Sequence, residues 1–211
     1  MEQKDLYKSV AEYFMEAMPA PQTELHYDNP FQLVVAVRLS AQCTDKRINM
    51  VTPALFERFP DAKSMAGTTF EELLPYIKTV SYPNSKTRDI LAMAKMVVEE
   101  FGGEAPGDVD GLKRLPGVGP KTANVVASVL YGAHVIPVDT HVFRVSRRIG
   151  LTTDAKTPEQ AQKQLEAGFD EDSKRLAHHW LLLHGRYVCT ARKPKCAECG
   201  LKGLCKEYMS N

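Results

Sequence analysis

Four of the five cysteines lie close together near the end of the chain, in the array Cys189-x6-Cys196-x2-Cys199-x5-Cys205. Four deprotonated thiols at such spacing suit a tetrahedral metal ion or an iron–sulfur cluster. Two disulfides are an alternative, but small disulfide scaffolds are secreted and much shorter than this chain. Zinc is a stronger alternative, although zinc ribbons usually carry two Cys-x2-Cys pairs and only one is present here. The array therefore favours an iron–sulfur cluster.

A second candidate site is the glycine-rich segment Leu115–Ala123, which has the sequence LPGVGPKTA. Gly117 and Gly119 allow backbone angles that other residues disfavour, so the segment can turn tightly and point amide N–H groups outward. A helix that begins near Lys121 adds the positive end of its dipole, and the combination suits a DNA phosphate. The alternative is a helix-turn-helix corner in which the glycines serve packing alone.

Lys121 and Asp139 could carry out covalent chemistry beside this turn. The helix dipole disfavours a cation at the helix start, and a lysine that is partly neutral is a nucleophile. A helix over 121–131 would be roughly 16 Å long, while the loop 132–138 could span about 23 Å, so the chain can return Asp139 to the turn. The alternatives are a solvated surface charge for Lys121 and a helix N-cap for Asp139.

The elements that must position these residues are helices, because the periodicity of the chain shows little of the alternation typical of strands. The segment 84–101 shows the helical pattern well, since Ile90, Ala94 and Val97 lie on one stripe and Gly102 follows the last turn. The sequence therefore predicts an all-α fold. Helices are expected over residues 2–18, 31–43, 45–58, 69–77, 84–101, 109–114, 121–131, 140–149, 157–168 and 172–188.

Composition indicates a protein with a substantial core and locally basic surfaces. The 211 residues are 44% hydrophobic and 25% charged, which is enough apolar material to form two small lobes. The net charge of +1 does not by itself indicate a polyanionic partner, because binding a polyanion depends on a local basic face. Arg144 and Arg148 are one helical turn apart and predict such a face. The longest apolar region is interrupted by polar residues, and acidic residues near the start argue against a targeting peptide.

The segments Leu115–Val125, Val138–Val145 and His184–Arg186, with the four-cysteine array, resemble the helix-hairpin-helix DNA glycosylases of the endonuclease III family in order and spacing. The resemblance covers essentially the whole chain. It implies a six-helix barrel domain over 22–132 that contains the helix-hairpin-helix. It also implies a cluster domain formed by 1–21 and 133–211, with DNA in the cleft between the two lobes.

The chemistry that this resemblance implies is that of a bifunctional DNA glycosylase and abasic-site (AP) lyase of base excision repair. Such an enzyme removes oxidised pyrimidines from duplex DNA and cleaves 3′ to the abasic site by β-elimination. Lys121 matches the lysine that forms a Schiff base with the sugar, and Asp139 matches the catalytic carboxylate. Cys189, Cys196, Cys199 and Cys205 match the ligands of a [4Fe-4S] cluster.

The resemblance also implies contacts to duplex DNA. Gln42 would fill the position vacated by the flipped base, and Tyr82 would act as a second wedge. The wedge segment departs from the family pattern, because Ser81 stands where Gly is usual, Tyr82 where an aliphatic residue is expected and Pro83 where an aromatic residue is usual. The DNA-binding residues are predicted to be Gln42, Tyr82, Gly117, Val118, Gly119, His141, Arg144, Arg192, Lys193 and Lys195.

Two other classes of function are weighed against this interpretation. A monofunctional mismatch glycosylase could use the same turn and cluster, but those relatives lack a lysine at the position of Lys121. A non-catalytic DNA-binding or redox-sensing module is disfavoured by Lys121 and Asp139 together. A monomer is expected because one cleft suffices, and in a bacterium or archaeon the protein is expected in the cytoplasm with the nucleoid.

Overall fold

A computed structural model describes residues 2–210, and within them the fold is entirely helical, as predicted. No helix in this part of the chain combines the length and the apolar character needed to cross a bilayer. The helices are α1 (Gln3–Ala17), α2 (Pro30–Ser40), α3 (Asp45–Arg58), α4 (Ala62–Ala66), α5 (Phe70–Ile77), α6 (Pro83–Glu100), α7 (Val109–Arg114), α8 (Pro120–Tyr131), α9 (Thr140–Ile149), α10 (Pro158–Gly168), α11 (Glu171–Tyr187) and α12 (Lys206–Met209), with a 3-10 helix at Cys196–Glu198.

The chain divides into two compact units. The hairpin unit is Glu24–Tyr131 and contains α2 to α8. The cysteine unit comprises the residues up to Thr23 and those from Gly132 onward, so it contains α1 and α9 to α12. The hairpin unit holds one short helix, α4, beyond the six helices that the family resemblance implies.

Helix α2 lies at the centre of the hairpin unit and packs on α3, α6 and α8. Its residues 31–37 are all buried, so the helix has no solvated face along this stretch. The side chain of Asn29 caps the helix by accepting a bond from the Gln32 amide at 3.0 Å, and Pro30 occupies the first turn. Because α2 is embedded in the core, the residues that follow its last turn begin from a rigid support.

Two short helices were not predicted from the sequence. Helix α4 has five residues, too few to show a hydrophobic period, although Asp61 and Ser64 form a capping box at its start. Helix α12 has four residues and directly follows Cys205. In both cases the helix is a single turn, which is too short for a periodicity window to detect.

The core of the cysteine unit joins the start of the chain to its C-terminal half. Trp180 of α11 is fully buried and stacks on Phe14 of α1 with ring centroids 5.6 Å apart. The Trp180 indole N–H donates to the Met18 carbonyl at 2.8 Å, which satisfies the only polar atom of the buried ring. The Tyr7 hydroxyl donates to the Leu151 carbonyl at 2.8 Å. Helix α1 is therefore a structural part of the unit that carries the cysteines.

His179, which is buried in α11, is expected to make the protein less stable in acid. Burial, with smaller contributions from the nearby His178 and Arg186, lowers the pKa of His179 to about 3. An unfolded histidine has a pKa of about 6.5, so below that pH the unfolded state binds more protons and stability falls until the pH reaches the folded pKa. Between pH 7 and pH 5 this loss is about 2 kcal/mol.

Burial also lowers the pKa of His184, so we expect His179→Gln to remove about 2 kcal/mol of the loss between pH 7 and pH 5 and to leave the part that His184 contributes. Urea unfolding at pH 7 and pH 5 measures it, and His26→Gln, at an exposed position, is the matched control. An equal loss of stability in the wild type and in His179→Gln would contradict the prediction.

Candidate active site and metal centre

The turn between α7 and α8 contains the glycine motif, and the structure shows why residue 117 is glycine. Gly117 has a φ of 77°, and a Cβ atom there would lie 2.6 Å from Arg38 Nε and 2.8 Å from Asp89 Cβ. Arg38 of α2 and Asp89 of α6 form a half-buried ion pair in which Nε donates to Oδ2 at 3.1 Å. The turn therefore rests on this ion pair, and a larger residue at position 117 would lift it away.

Gly119 differs from Gly117. Its φ is not positive, contrary to the expectation from sequence, and a Cβ atom there would meet nothing within 4 Å. Packing inside the described chain thus gives no reason for glycine, whereas the open space allows an outside group to approach the backbone. Val118 has a buried side chain, and its amide donates to the Leu115 carbonyl at 3.0 Å, so Val118 anchors the turn.

Lys121 is the second residue of α8, and its side chain is exposed. The Ala123 amide makes the first bond of this helix to the Gly119 carbonyl at 3.0 Å. The amides before it have no carbonyl partner within the helix, so the helix start presents N–H donors next to the Lys121 amine. An exposed amine in this position can reach an electrophile that binds at the turn.

The hairpin unit also brings Gln42 and Tyr82 together. Both are exposed, and both have a positive φ, 57° for Gln42 and 54° for Tyr82, which non-glycine residues seldom adopt. The Ser81 hydroxyl donates to the Gln42 carbonyl at 2.7 Å. The two residues predicted to enter the duplex therefore lie on adjoining segments of one unit.

Asp139 is the N-cap of α9. Its Oδ1 accepts bonds from the His141 and Val142 amides, each at 2.8 Å. The N-cap role that the sequence left open is thus present. Both bonds use the same oxygen, so Oδ2 can act on another group.

The arginines of α9 bind the cysteine segment, although the sequence predicted that they form a basic surface. Arg144 donates from Nε to the Cys189 carbonyl at 3.1 Å and from Nη2 to the Gly185 carbonyl at 2.8 Å, and Nη2 also lies 3.2 Å from His141 Nδ1. Arg148 donates from Nη1 to the Thr190 carbonyl at 2.8 Å. These guanidinium groups attach α9 to the cysteine segment, which is a structural role that the sequence pattern did not predict.

The four clustered cysteines are thiols, not disulfides, and all four line one small cavity. Burial raises the pKa of the Cys199 thiol, and the neighbouring thiolates of Cys189, Cys205 and Cys196 raise that pKa further. Four thiolates this close repel one another unless cations bind between them. Thiol chemistry and mutual proximity therefore fit a metal centre.

The shape of this cavity fits a cluster. The four thiols line the same cavity, so they frame a common space. A [4Fe-4S] cluster needs such a frame, because each iron takes one thiolate. Arg148 Nη1 lies 3.6 Å from Cys189 Sγ, and His184 Nε2 lies 3.6 Å from Cys199 Sγ. Hydrogen bonds to the ligand sulfurs are one of the factors that set the reduction potential of iron–sulfur clusters in proteins.

The loop between the first two cysteine ligands carries three exposed cations, Arg192, Lys193 and Lys195. The Thr190 hydroxyl donates to the Lys193 carbonyl at 2.7 Å, and the Lys195 amide donates to the Val188 carbonyl at 3.0 Å. The loop backbone is thus held from both sides while its three charges face solvent.

Sequence reasoning missed the residues that support these sites. Arg38 and Asp89 carry the glycine turn, but they are 51 positions apart and no short motif links them. Ser81 and Lys86 lie on either side of Tyr82, yet only the structure shows what they bind. The one available signal was that Ser81 departs from the usual family pattern.

Comparisons with known proteins agree with this geometry. The family model described as "HhH-GPD superfamily base excision DNA repair protein" matches residues 35–171, and "Iron-sulfur binding domain of endonuclease III" matches residues 189–205. Endonuclease III of Rickettsia felis is 43% identical over 99% of this chain and 97% of its own. Endonuclease III of Bacillus subtilis is 44% identical over 91% of this chain and 88% of its own.

A solved structure, "Structure of a Trapped Endonuclease III-DNA Covalent Intermediate: Estranged-Adenine Complex", superposes with a TM-score of 0.91 at 38% identity and covers 100% of this chain and 99% of the other. The superfamily match spans more than half of the chain, and the matched iron–sulfur segment begins and ends at the cysteine ligands. The chain therefore belongs to the endonuclease III family of the HhH-GPD superfamily, the base excision repair enzymes that act as DNA glycosylases and AP lyases and carry a [4Fe-4S] cluster.

Proposed function

We propose that this chain removes oxidised pyrimidines from duplex DNA and cleaves the strand 3′ to the abasic site through an imine on Lys121. The observation that carries the proposal is the exposed Lys121 amine at the start of α8. It follows the turn in which Gly117 packs closely against Arg38 and Asp89. The trapped endonuclease III structure supports it, because a protein of this fold and 38% identity forms a covalent intermediate with DNA.

The reaction begins with a damaged base flipped out of the stack, because C1′ cannot be reached within the duplex. The Lys121 amine attacks C1′, the bond from C1′ to the base breaks and the base leaves with a proton. The C1′–O4′ bond then breaks, O4′ takes up the proton lost from the amine nitrogen, and an imine joins Lys121 to the opened sugar. Abstraction of a C2′ proton then expels the 3′ phosphate, and water hydrolyses the imine to release Lys121.

Asp139 is assigned the role of the catalytic carboxylate. Its Oδ1 is fixed by two amides at the start of α9, so the carboxylate is held in place without using Oδ2. A carboxylate held in this way stabilises the positive charge that develops on the sugar and assists proton transfer.

The four cysteines would hold the [4Fe-4S] cluster, which when bound supplies iron–thiolate bonds that close the segment 189–205 into a fixed loop. Arg192, Lys193 and Lys195 on that loop are proposed to bind phosphates, since their side chains face solvent. The open backbone at Gly119 is proposed as a second phosphate contact. The relatives named above are bacterial, so we infer that the protein acts at the nucleoid. We infer a monomer because one DNA-binding site suffices.

A panel of three duplexes tests the proposed function. We expect the wild-type protein to incise duplexes that contain thymine glycol or an abasic site and to leave an A·G mismatch intact. A monofunctional mismatch glycosylase would instead release the adenine without incision, and a binding module would shift all three duplexes without cutting any. Failure to incise the thymine glycol duplex would refute the proposed substrate class.

A further inference from the structure

Two hydrogen-bonded braces connect the Gln42 segment to the Tyr82 segment in the hairpin unit. The first is the Ser81 hydroxyl, which donates to the Gln42 carbonyl across 39 positions of sequence. The second is Lys86, whose Nζ donates to the Leu39 and Ala41 carbonyls, both at 2.7 Å. These carbonyls lie at the end of α2, where the helix itself supplies no donor.

Lys86 binds both segments at once. Its backbone amide donates to the Tyr82 carbonyl at 3.1 Å, while its side chain reaches the residues just before Gln42. The Lys86 side chain is only 1% exposed, which is rare for lysine. Burial lowers the pKa of Lys86, so the protein retains this amine in an environment that disfavours its charge.

The braced residues have a conformation that needs such support. Gln42 and Tyr82 both occupy the left-handed region, which is unfavourable for side chains with a Cβ and persists where surrounding contacts impose it. Tyr82 is 65% exposed, although aromatic side chains are usually more buried. The braces thus hold one amide side chain and one aromatic ring out from the surface.

We propose that Ser81 and Lys86 are positioning residues that hold Gln42 and Tyr82 as one preorganised pair, so that both side chains enter duplex DNA together. This inference rests on the proposed function, in which a flipped nucleotide leaves a space in the stack. A pair ordered before binding loses less conformational freedom when it inserts. The aromatic ring of Tyr82 then stacks on a base while Gln42 occupies the vacated position.

Brace variants test the proposal. In Ser81→Ala and Lys86→Met, we expect the single-turnover rate of incision of a thymine glycol duplex to fall about 5-fold. Ser81→Ala removes one hydrogen bond, and Lys86→Met removes two. The fluorescence of 2-aminopurine placed opposite an abasic site, which reports insertion, should fall as well. Borohydride trapping on a single-stranded abasic oligonucleotide should stay at the wild-type level, because no stack has to be filled. Ser85→Ala and Lys95→Met, at exposed positions of α6, are the matched controls.

A double-mutant cycle separates a braced pair from two independent residues. Gln42→Ala and Tyr82→Ala should each lower the rate of duplex incision. The two effects, expressed as free energies, should be non-additive in the wild-type background and additive in the Ser81→Ala background. Additive losses in the wild type, or wild-type duplex incision by Ser81→Ala, would overturn the proposal. If Lys86→Met does not fold, Ser81→Ala still decides the matter, since Ser81 precedes α6 and is only partly buried. Failure of the proposed function is distinct, because the wild-type protein would then leave the duplex uncut.

Discussion

Replacing Lys121 by glutamine is expected to abolish borohydride trapping on abasic DNA and to lower strand incision by about 10³-fold or more. The reason is that an imine requires an amine, and the glutamine amide cannot form one. Glutamine has a length and polarity similar to lysine, and the Lys121 side chain is exposed, so the fold should be unaffected. Trapping is measured as a protein–DNA adduct on a denaturing gel.

Lys95→Gln is the matched control for Lys121→Gln, since Lys95 is also an exposed lysine on a helix of the hairpin unit. It should form adducts like the wild type. Both variants should show the wild-type thermal transition and visible absorbance. An adduct formed by Lys121→Gln would show that another amine attacks the sugar, and the assignment of Lys121 would fail.

Replacing Cys199 by serine is expected to remove the [4Fe-4S] cluster and to destabilise the cysteine unit. A neutral serine hydroxyl is a poor substitute for a thiolate, and loss of a structural metal centre removes its binding free energy from the folded state. Cys199 packs against the core of the unit, so the effect should reach beyond the loop. We expect loss of the visible absorbance and of iron, with a Tm at least about 6 °C lower.

Cys43→Ser is the matched control, because Cys43 lies in the hairpin unit and is not in the four-cysteine array. It should retain iron and absorbance at the wild-type level. Full iron content in Cys199→Ser, or the same loss in both variants, would contradict the assignment of the ligands. DNA binding by Cys199→Ser should also weaken and depend less on salt, since the charges of Lys193 and Lys195 are no longer held in place.

Much of the local structure can be predicted from sequence because its causes are local. Hydrophobic periodicity predicted the helices that correspond to α1 to α3 and α5 to α11 to within a few residues. Capping residues such as Asn29 and Asp139 act on amides two or three positions away, so their signals are short motifs. The cysteine spacing indicated an iron–sulfur cluster for the same reason, since all four ligands fall within residues 189–205.

The parts that escaped prediction depend on residues that are distant in sequence. The periodic pattern of α9 showed where Arg144 and Arg148 lie on the helix. It did not show that both donate hydrogen bonds to backbone carbonyls of residues 185–191, about 40 positions later in the chain.

Helix periods and caps follow from interactions within a few residues, so the chain's own order of amino acids determined the longer helices, the glycine turn, the place of Lys121 beside it and the thiol array. Tertiary packing alone decided which groups support them: the Arg38–Asp89 pair under Gly117, and the Ser81 and Lys86 bonds behind Gln42 and Tyr82. These partners meet only when separate helices have docked, because a hydrogen bond or an ion pair forms over about 3 Å and carries no sequence spacing of its own.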